Sequence, residues 1–203
     1  VPIALKTQDP QAIIETVRIL APSFGGFCLE GIAAPKCFMV EHGVRHAVRV
    51  SVLHHDSHAS GIIVLAALYN ALKVVGKDFK TVRIVINGAG AAGLGVARGL
   101  IVAGNNNIII CDRHGPLQVY RTVGMNWAKS DIARLLAPQE VKGTLAEVIR
   151  GADVFIGLSG PNLVTPEMIA SMADNPIVFA LALPVPEISE AEALAAGAAV
   201  VAT

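Results

Sequence analysis

The chain has 203 residues, of which 53% are hydrophobic and 16% are charged, and its formal net charge at pH 7 is zero. This length suits one large domain or two small ones, and the apolar fraction is sufficient for a sizeable core. The balanced charge argues against nucleic acid and acidic membrane surfaces as partners. The three cysteines make no even disulfide set, so we expect a reducing, cytoplasmic compartment.

The first 76 residues alternate between predicted strands and helices. The predicted strands are Pro2–Leu5, Gly25–Leu29 and Val48–Leu53, and the predicted helices follow Asp9, cover Cys37–His46 and cover Ile62–Val75. Asp9 is expected to cap the first helix, with proline in its first turn. The apolar stripe of the third helix is expected to be core rather than a partner surface, and the stretch is too short for a comfortable membrane span.

A glycine-rich stretch organises the second part of the chain. Val82–Ile86 is a run typical of a buried strand, and Gly88, Gly90 and Gly93 follow it before a helical pattern begins at Leu94. This spacing allows a tight turn, close approach of a pyrophosphate to the backbone, and close packing of the helix on the strand. The phosphates would then lie at the positive end of the helix. The stretch therefore predicts dinucleotide binding, although an ordinary glycine-rich loop is the alternative.

A second apolar strand, Asn107–Cys111, follows the helix and is succeeded by Asp112. At this distance beyond the glycines, a carboxylate can accept hydrogen bonds from the adenosine ribose hydroxyls. Asp112 therefore favours NAD, because it repels a 2′-phosphate, whereas the adjacent Arg113 leaves NADP possible. The predicted cofactor-binding residues are Asn87, Gly88, Gly90, Ala91, Ala92, Gly93, Asp112, Arg113, Ser159 and Gly160.

The remaining residues continue the alternation of helices and strands. Leu117–Ser130 is predicted to be irregular. The predicted helices are Asp131–Leu136, Thr144–Gly151, one that follows Thr165, and one from Ser189 to Ala195. The predicted strands are Val154–Ile156, Ile177–Ala182 and Ala198–Ala202. Such alternation predicts an α/β fold with parallel strands and right-handed crossovers. We expect a Rossmann-like doubly wound parallel sheet in residues 77–203, preceded by a smaller α/β segment in residues 1–76 that forms part of a domain for substrate and metal.

Titratable residues follow two of the predicted strands in the first segment. Glu30 follows one strand, and His54, His55, Asp56 and His58 follow another. Carboxylates suit magnesium or manganese, whereas imidazole suits zinc, so these residues are candidates for metal binding or catalysis. The alternative is a solvated loop with a helix cap.

The chain resembles the malic enzymes of the short bacterial type over nearly its whole length. The resemblance rests on Asp9-Pro10 with Ile13–Val17, Pro22–Gly26, Leu29-Glu30 with Ala34–Phe38, His54–Ser60, Leu68–Val75, Val85–Gly93, Lys142–Glu147, Gly151–Gly157 and Leu163–Met168. Val85–Gly93 is the most specific of these motifs, and the segment near Leu117–Asp131 is the least alike.

This resemblance implies oxidative decarboxylation of malate to pyruvate and carbon dioxide with NAD, possibly NADP, and Mg or Mn. It implies Glu30 and Asp56 as metal ligands and a homodimer, and from the titratable cluster we predict His55 and Asp56 as catalytic residues. Several positions depart from the family pattern: Gly31 replaces an acid, His55 replaces an aspartate, and Leu183 replaces an asparagine near the nicotinamide end. Ser57, Ala59 and Ser60 also replace the usual glutamine, glycine and threonine.

Other functions remain open at this stage. The family's catalytic tyrosine and lysine would precede Val1, and its asparagine-rich substrate loop would follow Thr203, so this stretch alone is expected to be inactive. A dinucleotide-binding fragment or relative without catalytic activity is therefore one alternative. A malolactic enzyme and an amino-acid dehydrogenase are further alternatives.

Overall fold

A computed structural model describes residues 1–136 and 141–203 of the chain. The helices are α1 Pro10–Leu20, α2 Lys36–Ala47, α3 Ser60–Val75, α4 Ala91–Val102, α5 Trp127–Leu135, α6 Leu145–Val148, α7 Pro166–Ala170 and α8 Glu190–Ala195. The strands are β1 Gly26–Leu29, β2 Ser51–His54, β3 Ile84–Asn87, β4 Ile108–Asp112, β5 Gly115–Pro116, β6 Val154–Gly157, β7 Ile177–Ala180 and β8 Val200–Ala202. A short 3₁₀ turn follows α1 at Ala21–Ser23, and a π-helical turn at His55–Ala59 leads from β2 into α3.

The described strands form two sheets. β1 and β2 are a parallel pair, and the other six strands have the order β5-β4-β3-β6-β7-β8. All neighbours in the larger sheet are parallel except β5, which runs antiparallel to β4. The chain therefore leaves β3 first toward β4 on one side and later returns to β6 on the other, which makes the β3–β6 boundary the switch point of the sheet.

Alternate residues of the central strands face two separate cores. Ile84 and Ile86 of β3 belong to a hydrophobic cluster that includes residues of α3, α4 and α5. Val85, between them, belongs to a second cluster with residues of α7 and α8. Helices thus cover both faces of the sheet, which confirms the predicted doubly wound fold.

The first segment has a small core of its own and also joins the main one. Ile13 and Val17 of α1 pack with Leu29 of β1 and with residues of α2. Leu68 of α3, in contrast, lies in the same cluster as the sheet residues Ile84 and Ile86. The hydrophobic core is therefore continuous across the predicted boundary between residues 76 and 77, and that domain boundary stays a prediction.

Most predicted elements are present with bounds shifted by a few residues, and two predictions differ more from the structure. Pro2–Leu5 is exposed and forms no strand, because no described neighbouring strand offers it hydrogen-bond partners. Helix α5 begins at Trp127, inside the stretch predicted to be irregular, because the Asn126 side chain caps it by accepting a hydrogen bond from the Lys129 amide.

Helix α3 is only half core. Val64, Leu68 and Leu72 are buried, but Ile63 and Val74 on the opposite face are 69% and 75% exposed. The apolar stripe of α3 is therefore core on one face, as expected, and exposed on the other. By length and composition, His55–Val75 could cross a membrane, a weak indication because core helices pass the same test.

Glycines bring α3, α4 and the π-helical turn into backbone contact. A Cβ on Gly61 of α3 would lie 3.0 Å from the carbonyl oxygen of Gly95 in α4. A Cβ on Gly95 would collide with the carbonyl oxygen of Ser57 in the turn. The start of the predicted phosphate-binding helix is thereby held directly against the turn that carries Asp56.

Candidate functional site

The glycine turn after β3 has the geometry expected of a diphosphate cradle. Gly88 has a φ of +125°, which other residues rarely adopt. Gly90 precedes α4 without a side-chain cap, and a Cβ built on it would meet no atom within 4 Å. The first amides of α4 have no intrahelical acceptor, so open space lies beside free N–H groups. These residues fit the phosphates of a dinucleotide.

The loops after β3 and β6 touch across the switch point. A Cβ on Gly88 would lie 2.7 Å from the carbonyl carbon of Leu158, and the Leu158 amide donates to the carbonyl of Asn87 at 2.8 Å. Ser159 and Gly160 follow directly in this loop. The structure therefore places the predicted residues of both loops along one crevice at the carboxyl ends of the strands.

Asp112 ends β4 in the predicted position, but its carboxylate already has protein partners. Arg121 binds both oxygens, at 2.9 and 2.5 Å, and the Lys129 ammonium lies 2.7 Å from Oδ2. The amide of His114 donates to Oδ1 at 2.8 Å. A ribose would have to share or displace these donors, so the ribose role of Asp112 stays a prediction.

The two cations control the ionisation of Asp112. Burial raises its pKa, but hydrogen bonds from Arg121, Lys129 and the His114 amide outweigh burial and hold the pKa to about 2. The side chains of Arg121 and Lys129 are only 13% and 14% exposed. Two nearly buried positive charges thus face one carboxylate, and Arg113, next to it, is exposed.

The predicted metal ligands follow β1 and β2 at the same edge of the small sheet. Leu29 pairs with His54 in the parallel register, so Glu30 and His55 follow the two strands at the same edge. Glu30 is exposed, and the Asp56 side chain is 37% exposed. Both carboxylates can therefore reach solvent at this edge.

A buried histidine lies behind this edge, between two carboxylates. His54 is completely buried; its Nδ1 lies 3.4 Å from Glu41 of α2, and its Nε2 lies 3.7 Å from Asp56. His58 also faces Glu41, at 3.1 Å. The neighbouring His54 lowers the pKa of Glu41 against the effect of burial, and His58 and Arg45 lower it further. These contacts place the turn that carries Asp56 beside α2.

The donor set for a divalent ion is only partly present. Glu30 and Asp56 provide two carboxylates, and Mg²⁺ binds in proteins through one or two carboxylates with retained waters. Gly31 supplies no third side chain, and residues 1–136 and 141–203 bring together no group of three His, Cys, Asp or Glu residues suited to a metal. Two carboxylates match the ligand chemistry of Mg²⁺ or Mn²⁺, but the described residues complete no ligand set, so the metal site stays a prediction.

A cavity of about 240 Å³ lies between α2, the π-helical turn, α4 and α5. Its lining includes Glu41, His58, Arg98 and Trp127. None of the predicted cofactor residues lines it, so it is separate from the crevice above the sheet.

Three functional contacts were not anticipated from the sequence. Arg121 and Lys129, which bind Asp112, both lie in the stretch Leu117–Ser130 that is predicted to be irregular. Glu187, fully buried between the loops after β6 and β7, follows a Pro-Val-Pro run. An acid in an otherwise apolar run was the available signal for Glu187, and no local pattern marks the other two.

Comparison with known proteins agrees with this geometry. The sequence profile described as "Malic enzyme, NAD binding domain" matches residues 58–203. The chain is 45% identical over 202 residues to the bifunctional malic/malolactic enzyme of Bacillus subtilis, covering 100% of this chain and 49% of that protein. It is 43% identical to the NADP-dependent malic enzyme of Rhizobium meliloti, covering 99% of this chain and 26% of that protein.

A solved structure shares the fold as well as the sequence. The crystal structure of the NAD-dependent malic enzyme of Thermotoga maritima matches with a TM-score of 0.95 and 40% identity, covering 100% of this chain and 54% of that chain. The chain thus spans about half the length, or less, of the relatives it matches.

Proposed function

Because the chain belongs to the malic enzyme family, we propose that the whole protein oxidises malate with NAD or NADP and releases pyruvate and carbon dioxide. The open cradle formed by Gly88, Gly90 and the amino end of α4 carries this proposal. When bound, the cofactor accepts a hydride from the hydroxyl carbon of malate. The loop amides and α4 hold the diphosphate, and the crevice at the β3–β6 boundary orients the dinucleotide.

The second part of the proposal concerns substrate and metal. Glu30 and Asp56 are the residues that would hold Mg²⁺ or Mn²⁺, and His55 and Asp56 would contact malate. Support comes from their shared position at the carboxyl ends of β1 and β2. Helix α4 contacts the turn of Asp56 through Gly95, so the proposed cofactor and substrate groups belong to one packed unit.

A steady-state assay of the full-length protein tests the activity. Malate with Mn²⁺ and NAD or NADP should give reduced cofactor and pyruvate in equal amounts, and Asp56→Ala should abolish turnover while leaving NAD binding unchanged. Absence of reduced cofactor with the full-length protein would contradict the proposal. Lactate formed from malate without net cofactor reduction would instead indicate malolactic chemistry. The Bacillus subtilis relative is named as a bifunctional malic/malolactic enzyme, so lactate is measured in the same assay.

An inactive, dinucleotide-binding relative is the second candidate. Gly31, His55 and Leu183 all replace polar residues of the family pattern, and Leu183 is 90% exposed. In that case NAD binding persists with no turnover. Leu183→Asn restores the family's side chain at an exposed position and should increase activity if the enzyme is functional but attenuated.

We also propose a cytoplasmic homodimer. The exposed apolar face of α3, with Ile63 and Val74, supports a protein contact there, because surface patches of this kind mark interfaces. In light scattering of the full-length protein, Ile63→Lys should shift the dimer toward monomer. Ile19→Lys, which adds the same charge at an exposed position of α1, should not.

A further inference from the structure

Glu187 is fully buried in the loop after β7, and its carboxylate reaches the loop after β6. Its Oε1 accepts a hydrogen bond from the Ser159 amide at 2.9 Å, in the loop after β6. Its Oε2 accepts one from the Ala182 amide at 3.1 Å, in the loop after β7. Oε2 therefore ties Glu187 to the start of its own loop, and Oε1 connects that loop to the one after β6.

The surrounding backbone is shaped around this carboxylate. A Cβ on Gly157 would lie 2.5 Å from Oε2 of Glu187, so only glycine leaves the necessary space. The main chain reinforces the connection: the Val164 amide donates to the Glu187 carbonyl at 3.1 Å, and the Asn162 amide donates to the Pro186 carbonyl at 3.1 Å. The separation of the two loops is thus fixed by one side chain and two main-chain hydrogen bonds.

The location of these loops gives the carboxylate a consequence for ligands. A dinucleotide lies across the switch point of a doubly wound sheet. Its adenosine ribose lies near the acid at the end of the strand that follows the glycine-rich turn and its helix. That acid is Asp112, on the β4 side. The other half of the dinucleotide, with the nicotinamide, then extends toward β6 and β7, where Glu187 joins the loops.

We propose that Glu187 is a positioning residue: it fixes the backbone of the loops after β6 and β7 against which the nicotinamide ring packs. This inference rests on the proposed function. It touches neither cofactor nor substrate; it acts through the amides of Ser159 and Ala182. A change at Glu187 should therefore disturb the nicotinamide half of the cofactor and leave the adenosine half unaffected.

The test is Glu187→Gln in the full-length protein, with NAD and ADP-ribose as probes. Glutamine keeps the size but replaces one acceptor oxygen with a donor group, so one loop amide loses its partner. Loss of a hydrogen bond to a charged group changes an equilibrium constant by about 10- to 100-fold. We expect NAD affinity and kcat to fall by about 10-fold or more, while ADP-ribose, which lacks nicotinamide, binds within about twofold of wild type.

A primary isotope effect with malate deuterated at the hydroxyl carbon should also increase in Glu187→Gln, because a misplaced ring slows hydride transfer. Glu190→Gln, the same change at an exposed position three residues later, is the matched control and should leave all values unchanged. A loss of folding or general stability alone would reduce binding of both ligands equally.

Gly157→Ala provides a second, independent variant, because its methyl group displaces the carboxylate without removing it. It should show the same selective loss of NAD over ADP-ribose. Equal losses for the two ligands in the folded variants, or no loss, would overturn the role of Glu187. Wild-type protein that binds neither ligand would instead overturn the proposed function itself.

Discussion

The ammonium nitrogen of Lys129 lies 2.7 Å from Oδ2 of Asp112, an oxygen that Arg121 also binds at 2.5 Å. The acid at the end of β4 is therefore part of an ion cluster before any ligand is considered. Replacing one side chain of such a cluster leaves nearly buried charges without a partner, and this lowers the stability of the folded state.

The first prediction concerns acid stability. Because folding lowers the pKa of Asp112 from 3.8 to about 2, its contribution is complete above about pH 4 and is lost as the pH falls toward 2. Asp112→Asn should lower the free energy of unfolding by about 2 kcal/mol at pH 7 and by progressively less below pH 4. Denaturant titrations from pH 7 to pH 3 measure this difference, and a difference that does not change with pH would refute the charge-based account.

The second prediction concerns the choice between NAD and NADP. Lys129 helps to neutralise the carboxylate that would repel a 2′-phosphate. Lys129→Met removes one positive charge, so NADP should bind about tenfold more weakly relative to NAD, a difference of about 1.4 kcal/mol. Calorimetric titration with both cofactors measures the ratio. Lys80→Met, at an exposed site, should leave it unchanged, and an unchanged ratio in Lys129→Met would remove this residue from cofactor selection.

The third prediction concerns the incomplete metal site. Gly31 has a φ of +69°, which aspartate tolerates better than most residues, and a Cβ there would meet no atom within 4 Å. Gly31→Asp should therefore fold and increase Mn²⁺ affinity by about tenfold or more, because a third carboxylate joins Glu30 and Asp56. Gly25→Asp adds the same charge before β1, at the opposite end of the strand, and should have no such effect on Mn²⁺ binding. Equal Mn²⁺ affinities in the two variants would place the metal elsewhere.

The fourth prediction separates two glycines of α4. A Cβ on Gly95 would collide with Ser57, whereas one on Gly99 would lie 3.8 Å from its nearest neighbour, Gly61. Gly95→Ala should destabilise the protein by about 1–3 kcal/mol through overpacking. Gly99→Ala should stabilise it by about 0.5–1 kcal/mol, because alanine favours the helix. Thermal unfolding of both variants gives the comparison, and a Gly95→Ala variant of wild-type stability would show that the contact with the turn is loose.

The sequence was informative where local chemistry decides the structure. The β-branched run before Gly88, the proline after Asp9 and the serine before α8 predicted a strand and two helix starts that are present. It failed where distant partners decide: Pro2–Leu5 has strand-like composition but no described neighbour, and no pattern near Arg121 indicates that it binds a carboxylate nine residues earlier. Pairing over long range is a property of the folded chain and leaves no periodic trace in the sequence.

The glycine contacts among α3, α4 and the π-helical turn have a consequence for how ligands are brought together. No layer of side chains separates Gly61 from Gly95, or Gly95 from Ser57, so nothing compressible lies between the phosphate helix and the turn of Asp56. The distance between α4, which would hold the cofactor phosphates, and the turn of Asp56, which would contact malate, is therefore set by direct backbone contact. Any opening or closing needed for turnover must take place elsewhere in the protein.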